Sequence, residues 1–295
     1  MDFAELAELD WLHDGPGWPL SAHSRFVTVG TLRWHVQQCG TGPHLVLLHG
    51  TGSSTHSWAG LAPLLARHWT VSSMDLPGHG FTSGRPAGGL TLPAIAAAVA
   101  ALLAELSVRS PLLVGHSAGA AIAVRATLDG GIEPRGIVSL NGALLPFSPM
   151  LALLFAPLAR ALALLPGTAT LFSRRARHRS ALQRLIDSTG STLPPEGVDR
   201  YWRLVRSPRH VAGVIEMMAH WDLAPLAREL RLLRVPLLQV VGSSDRTVPP
   251  EQATEVAAQV AGARTVMLEG LGHLAHEEDP ARVAREIEHW AGTLP

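Results

Sequence analysis

The 295-residue chain contains no lysine: all 24 of its cationic side chains are arginine, and 24 carboxylates balance them. A formal net charge of zero removes the global field that would steer the protein toward nucleic acid. The missing lysine reads as the codon bias of a GC-rich genome rather than as selection for the guanidinium fork. A single cysteine, Cys39, excludes an intramolecular disulfide and any cysteine-based zinc site. Charged residues are scarce at 16% against 47% hydrophobic, which excludes a disordered or fibrous chain and supplies a large core. No fixed-period repeat is present, so solenoids and propellers are excluded. A basic segment leading into an apolar one is also missing from the start, where Asp2, Glu5, Glu8 and Asp10 stand instead. The expectation is a cytoplasmic protein.

What is there alternates. Arg25 to Val29, a Gly30-Thr31 turn and Leu32 to Gln38 read as a hairpin, with Leu32, Trp34 and Val36 on one face. The tract His44 to His49 holds Leu45-Val46-Leu47-Leu48, a short continuous apolar run expected of a strand covered on both faces. Strand Trp69 to Met74, helix Leu92 to Leu106, strand Leu112 to Gly115, helix Ala118 to Thr127 and strand Gly136 to Asn141 follow. After an interruption come strand Leu237 to Gly242, helix Glu251 to Val260, strand Thr265 to Leu268 and helix Ala281 to Trp290. That order predicts an α/β fold with a mostly parallel central sheet and helices on both faces. The interruption, 142–221, is too long for a connection and has helical periodicity with proline breaks, so it predicts a helical cap inserted into a core of 1–141 and 222–295.

Gly115-His116-Ser117-Ala118-Gly119 fits G-x-S-x-G between a predicted strand and a predicted helix, the setting in which this motif forms a sharp elbow presenting a serine hydroxyl. Serine is a poor nucleophile at neutral pH and needs a base, itself oriented by a carboxylate. Asp245, just past one strand, and His273, just past the next, supply these in the order nucleophile, acid, base. A developing oxyanion needs donors, and two backbone N–H groups suit: Thr51, in His49-Gly50-Thr51-Gly52 after a buried strand, and Ala118, at a helix N-terminus. Asp75, in Asp75-Leu76-Pro77-Gly78-His79-Gly80, is a rival acid, although it precedes the serine. Gly50, His116 and His56 are candidate substrate contacts, with packing or capping as the competing role for the two histidines and for His79. His273, His276, Glu277 and Glu278 lack a helical HExxH frame, so no metal is called for. Gly40-Thr41-Gly42 lacks the full spacing of a nucleotide loop, and no cofactor is expected.

The predicted cap has its own chemistry. From Gly142 to Ile186 there is no acid but six arginines (160, 174, 175, 177, 179 and 184), so this stretch carries +6 and the remainder −6. Met150 to Leu165 is apolar apart from Arg160, with Leu151, Phe155, Leu158, Leu162 and Leu165 at helical steps. The run is too short to span a bilayer. It suits packing on the core, a wall for a hydrophobic ligand, or a peripheral membrane contact. With the Arg174 to Arg179 cluster it also suits a hydrophobic anionic small molecule or an anionic lipid surface.

HGTG, DLPGHG, GHSAG, the SSDRTVPP loop and the GLGH histidine together resemble the α/β-hydrolase superfamily across the whole chain. More narrowly, LRWHVQQCGTGPHLVLLHGTGSSTHSW, LPGHGFT, VGHSAGAAIAVRA, VSLNGALLPF and HVAGVIEMMAHWDLAPL resemble its branch of magnesium-chelatase accessory proteins from bacteriochlorophyll biosynthesis. The resemblance implies Ser117, Asp245 and His273 as triad, Thr51 and Ala118 as oxyanion donors, a porphyrin as ligand, and magnesium chelatase as a partner rather than an activity of this chain. Three functions remain in play: a serine hydrolase acting on a tetrapyrrole-type substrate, a non-catalytic porphyrin-binding or delivery factor, and a general esterase or C–C bond hydrolase.

Overall fold

The computed structural model describes residues 8–146, 167–176 and 178–294. Eight strands form one sheet: β1 (Ser24–Val29), β2 (Leu32–Cys39), β3 (His44–Leu48), β4 (Thr70–Met74), β5 (Leu112–His116), β6 (Gly136–Leu140), β7 (Leu237–Gly242) and β8 (Arg264–Leu268). Their spatial order is β1-β2-β4-β3-β5-β6-β7-β8. The β1–β2 and β2–β4 pairings are antiparallel, and every other pairing is parallel. The predicted α/β fold is therefore the observed one, with strand ends moved by a residue or two.

Period-2 geometry explains the apolar strand runs. Val46 and Leu48 enter one hydrophobic core while Leu45 and Leu47 enter the other, on the opposite face. The first core is roofed by α1 (Leu92–Glu105) and α2 (Ala118–Leu128), the second by α9 (Pro280–Ala291). Local chemistry starts these helices where they start. Thr91 caps α1 through Ala94 N–H, Asp279 caps α9 through Arg282 N–H at 2.9 Å, and Pro93 and Pro280 occupy first-turn positions. In α9, Val283, Ala284, Ile287, Trp290 and Ala291 form the buried stripe expected of an amphipathic helix.

Between β6 and β7 the described residues form α3 (Thr168–Ala176), α4 (Arg179–Ser188), α5 (Pro195–Val205) and α6 (Pro208–Ala219), followed by α7 (Gln252–Gln259) and α8 (Ala275–Glu278) after β7 and β8. The apolar run Met150 to Leu165 and Arg177 lie outside the described residues. Among those described, no helix is long and apolar enough to cross a membrane. The basic cluster is in part engaged: Arg179 pairs with Asp199 at 3.0 Å and lies over the Trp202 ring.

Helix α6 is seated tightly. A Cβ at Gly213 would overlap the Gly78 carbonyl oxygen, so helix and loop meet backbone to backbone. Gly80 N–H donates to His210 Nδ1 at 3.1 Å, leaving His210 Nε2–H to donate to Gly52 O at 3.3 Å. Arg209 donates to the carbonyls of Gly80 and Thr82, both at 2.9 Å. Helix α6 thereby braces the loops after β3 and β4.

Candidate active site

Parallel strands deliver their following loops to one edge of a sheet, where α/β proteins place their sites. Thr51 follows β3, Ser117 follows β5, Asp245 follows β7 and His273 follows β8. All four therefore rise from the same carboxyl edge.

Ser117 occupies the turn between β5 and α2 with φ 51° and ψ −116°, a left-handed backbone rare for a side-chain-bearing residue. The flanking glycines make that turn possible. A Cβ at Gly119 would overlap the Leu48 carbonyl oxygen, and one at Gly115 would overlap the backbone of Gly119 and Ala120. Carbonyl groups of the elbow are secured, since Ser117 O accepts from Ala120 N–H and Ala143 N–H, both at 3.1 Å. The backbone N–H groups of Thr51 and Ala118 have no hydrogen-bond partner among the described residues. Near them, His49 Nδ1–H holds Gly50 O at 2.8 Å while Leu76 N–H donates to His49 Nε2 at 2.9 Å.

Asp245 is buried and saturated with donors. Its Oδ1 accepts Thr247 N–H at 2.7 Å and Val248 N–H at 2.9 Å, and its Oδ2 accepts Asn141 Nδ2–H at 2.7 Å and His273 Nδ1–H at 2.8 Å. With Nδ1 protonated toward the carboxylate, a neutral His273 keeps Nε2 bare and able to accept a proton. Among the described residues His273 Nδ1 is bonded to Asp245, and no hydrogen bond joins Ser117 Oγ to His273. Such contacts are commonly long until substrate arrives.

The neighbouring His116 joins the elbow to the His273 loop. Its Nε2–H donates to His273 O at 2.9 Å, and its ring lies 4.7 Å from that of His273 and 4.4 Å from that of His276. Nδ1 is buried and unpartnered, facing Gly50, where a Cβ would come within 2.8 Å. Expected as a substrate contact, His116 is instead enclosed and committed to the His273 carbonyl. Gly50 is buried as well, and its lack of a side chain admits His116 and the Ser117 Cβ. His56, the third expected contact, is buried between Trp18 and Tyr201, with ring centroids at 5.6 and 4.5 Å, and its Nδ1 meets Ser54 Oγ at 2.6 Å. Burial drives the pKa of His56, His79 and His116 well below that of free imidazole, so all three are neutral at pH 7.

Asp75, the rival acid, belongs to a separate buried unit. Its Oδ2 meets His35 Nδ1 at 2.8 Å and accepts Phe81 N–H at 2.8 Å, while Oδ1 accepts Thr55 N–H at 2.7 Å. Burial by itself would raise this carboxyl, but the His35 partner and the N–H donors outweigh it and hold the pKa below the usual range. The carboxylate within reach of His273 is Asp245.

Sequence reading missed a polar network beside the site. Tyr201 on α5 donates to Glu277 Oε1 at 2.6 Å, Ser57 Oγ–H donates to the same oxygen, and His276 Nε2–H donates to Ser57 Oγ at 2.8 Å. Burial lifts Glu277 to about 7 despite the donations from Ser57 and Tyr201. Its sequence signal is the cluster His273, His276, Glu277 and Glu278, which lacks a metal-binding frame. Among the described residues no group of three or more candidate ligands could hold a metal.

This arrangement defines a class. The chain belongs to the α/β-hydrolase fold family, whose model matches residues 43–280. Within it, the chain is 36% identical over 275 residues to the magnesium-chelatase 30 kDa subunit of Rhodobacter capsulatus, covering 92% of this chain and 96% of that protein. It is 28% identical to the pimeloyl-[acyl-carrier protein] methyl ester esterase of Aeromonas hydrophila, over 87% of this chain and 98% of the esterase. A putative lipase from Acinetobacter baumannii shares the fold at a TM-score of 0.75 and 20% identity, covering 98% and 97% of the two chains.

Proposed function

We propose that the protein is a serine hydrolase that takes a hydrophobic tetrapyrrole-type substrate and serves magnesium chelatase as an accessory. The observation that carries the reading is the 2.8 Å hydrogen bond from His273 Nδ1 to Asp245 Oδ2, placed at the sheet edge shared with a strained Ser117 elbow. In the reaction, Ser117 Oγ attacks an acyl carbonyl as His273 Nε2 takes its proton. Asp245 stabilises the imidazolium that forms, and the free N–H groups of Thr51 and Ala118 receive the tetrahedral oxyanion. His273 then passes the proton to the leaving group, and water repeats the cycle on the acyl-enzyme.

The substrate class draws on two supports. The chain's 36% identity to a magnesium-chelatase subunit extends over nearly the full length of both. The acid-free stretch with six arginines complements an amphiphile bearing carboxylates, as a porphyrin with two propionates does. Chelation and ATP hydrolysis are not chemistry that a serine triad performs, so chelatase is a partner in this reading. A second reading, a non-catalytic porphyrin carrier, is favoured by the 36% identity to a protein whose name is that of a chelatase subunit and not of a hydrolase. Titrating protoporphyrin IX into the protein distinguishes the parts. Micromolar porphyrin is expected to quench tryptophan fluorescence in wild type and in Ser117→Ala alike, and only wild type is expected to restore pigment synthesis in a strain lacking the protein. Full rescue by Ser117→Ala would favour the carrier, and no quenching would discard the tetrapyrrole.

A further inference from the structure

The acid and the base of the site stand on different loops, Asp245 after β7 and His273 after β8. Loops are the mobile parts of a fold, and a misplacement of about 1 Å in a reacting constellation costs about 10²-fold in rate. The two loops meet directly, Ser244 N–H donating to Leu271 O at 2.8 Å and Gly270 N–H to Ser243 Oγ at 2.9 Å, and a further segment adds to that register. The segment Thr189 to Thr192, between α4 and α5, crosses both of them.

Its contacts are specific and fall on the residues that matter. Thr189 O accepts Arg246 N–H at 3.1 Å and His273 N–H at 3.3 Å, so one carbonyl ties the residue after the acid to the base itself. Ser191, which is buried, accepts Leu274 N–H on Oγ at 2.7 Å. Glu278 closes the ring with both carboxylate oxygens: Oε1 accepts Gly272 N–H at 2.8 Å and Oε2 accepts Thr192 N–H at 3.0 Å. The amides of Gly272, His273 and Leu274, three residues in a row, are thus each held by the segment or by Glu278.

Glycines permit the close crossing. Gly190 has φ 83°, and a Cβ there would overlap the Ser244 carbonyl oxygen on the acid loop. A Cβ on Gly272 would overlap Gly190 on the strap. The strap therefore touches the acid loop on one side and the base loop on the other, backbone against backbone.

We infer that Thr189 to Thr192 and Glu278 form a strap that sets His273 against Asp245, with Ser191 and Glu278 as positioning residues. The inference rests on the hydrolase reading for its kinetic consequence, but its geometric content can be read without any reaction. Neither residue touches the reacting atoms. Each acts through the backbone of the His273 loop.

The test compares wild type with Ser191→Ala, Glu278→Ala and Glu278→Gln. One readout is the far-downfield proton resonance of His273 Nδ1–H and its titration midpoint, assigned by its loss in His273→Ala. The other is the second-order rate of labelling by a fluorophosphonate as a function of pH. We expect the resonance to shift or broaden in Ser191→Ala and Glu278→Ala. Labelling in both is expected to fall about 10- to 100-fold with a displaced pH profile. Glu278→Gln, which keeps one of two acceptors, is expected to fall between Glu278→Ala and wild type, and thermal midpoints identify any variant that fails to fold. A resonance that moves in the variants while wild type resists labelling upholds the strap and removes the hydrolase. Wild type that labels through Ser117 alongside variants of unchanged rate, profile and resonance removes the strap and leaves the hydrolase. A wild type without such a resonance also overturns the strap.

Discussion

Asp245→Asn is expected to lower kcat for an activated ester such as p-nitrophenyl butyrate by about 10⁴-fold, the size of effect that a wrong histidine tautomer produces in a serine triad. The cause lies in the four donors around the carboxylate. Thr247 and Val248 N–H meet Oδ1, and His273 Nδ1–H and Asn141 Nδ2–H meet Oδ2. An asparagine has one acceptor oxygen. The two backbone amides cannot move away, so the oxygen stays with them and the new NH₂ faces Asn141 and His273. His273 relieves the conflict by carrying its proton on Nε2, which turns Nδ1 into an acceptor and leaves no base toward Ser117. Folding is expected to survive, because both backbone contacts persist. A kcat within tenfold of wild type at pH 7.5 would remove Asp245 from the mechanism.

Stability is expected to fall by several kcal/mol between pH 7 and pH 5. Burial depresses His210 to about 4 and His276 to about 3, and lowers His49, His56, His79 and His116 as well. In the unfolded chain each imidazole binds a proton near pH 6.5, which its native counterpart refuses. Below that pH the unfolded state therefore gains protons that the native state does not, and stability drops as pH falls. His210 and His276 alone contribute a loss of about 4 kcal/mol, since each loses about 1.36 kcal/mol per unit over the roughly 1.5 units between the unfolded pKa near 6.5 and pH 5.

Glu277 acts in the opposite direction. Its native pKa of about 7 exceeds that of a free glutamate, so between about pH 4.5 and 7 the native state holds a proton that the unfolded chain releases. That contribution is present at low pH and is lost as pH rises toward 7. Glu277→Gln removes this compensation, so its stability is expected to fall more steeply than that of wild type from pH 7 to pH 5. Urea midpoints at the two pH values check both statements. Equal wild-type midpoints would mean that the buried histidines are not held neutral.

Much of the fold was legible because its signals are local. The Leu45 to Leu48 run and the Leu32, Trp34, Val36 alternation each carry a period, and the structure places them in the cores that the period implies. Ser117 was legible through the glycines that its turn requires, and Asp245 and His273 through their places just past strands. The supporting parts were not, because they are made by distant chain segments. For His116 the sequence leaves substrate contact and packing open, because its partner is a carbonyl 157 residues away. Asp75 stands past a strand end as Asp245 does, and only its position before the serine sets it apart in sequence, because its partner His35 lies on the distant β2. Gly190 and Gly213 resemble ordinary turn or helix glycines, and their reason is another backbone lying against them. Tyr201 reaches Glu277 only after α5 is folded down, which no periodicity encodes.

Reaction of the purified protein with a fluorophosphonate probe, beside Ser117→Ala and with protoporphyrin IX as competitor, tests the central claim most directly. The account predicts covalent labelling of wild type, none of Ser117→Ala, and protection by porphyrin. Folded wild-type protein that resists the probe, or a Ser117→Ala variant labelled as fast as wild type, would contradict it.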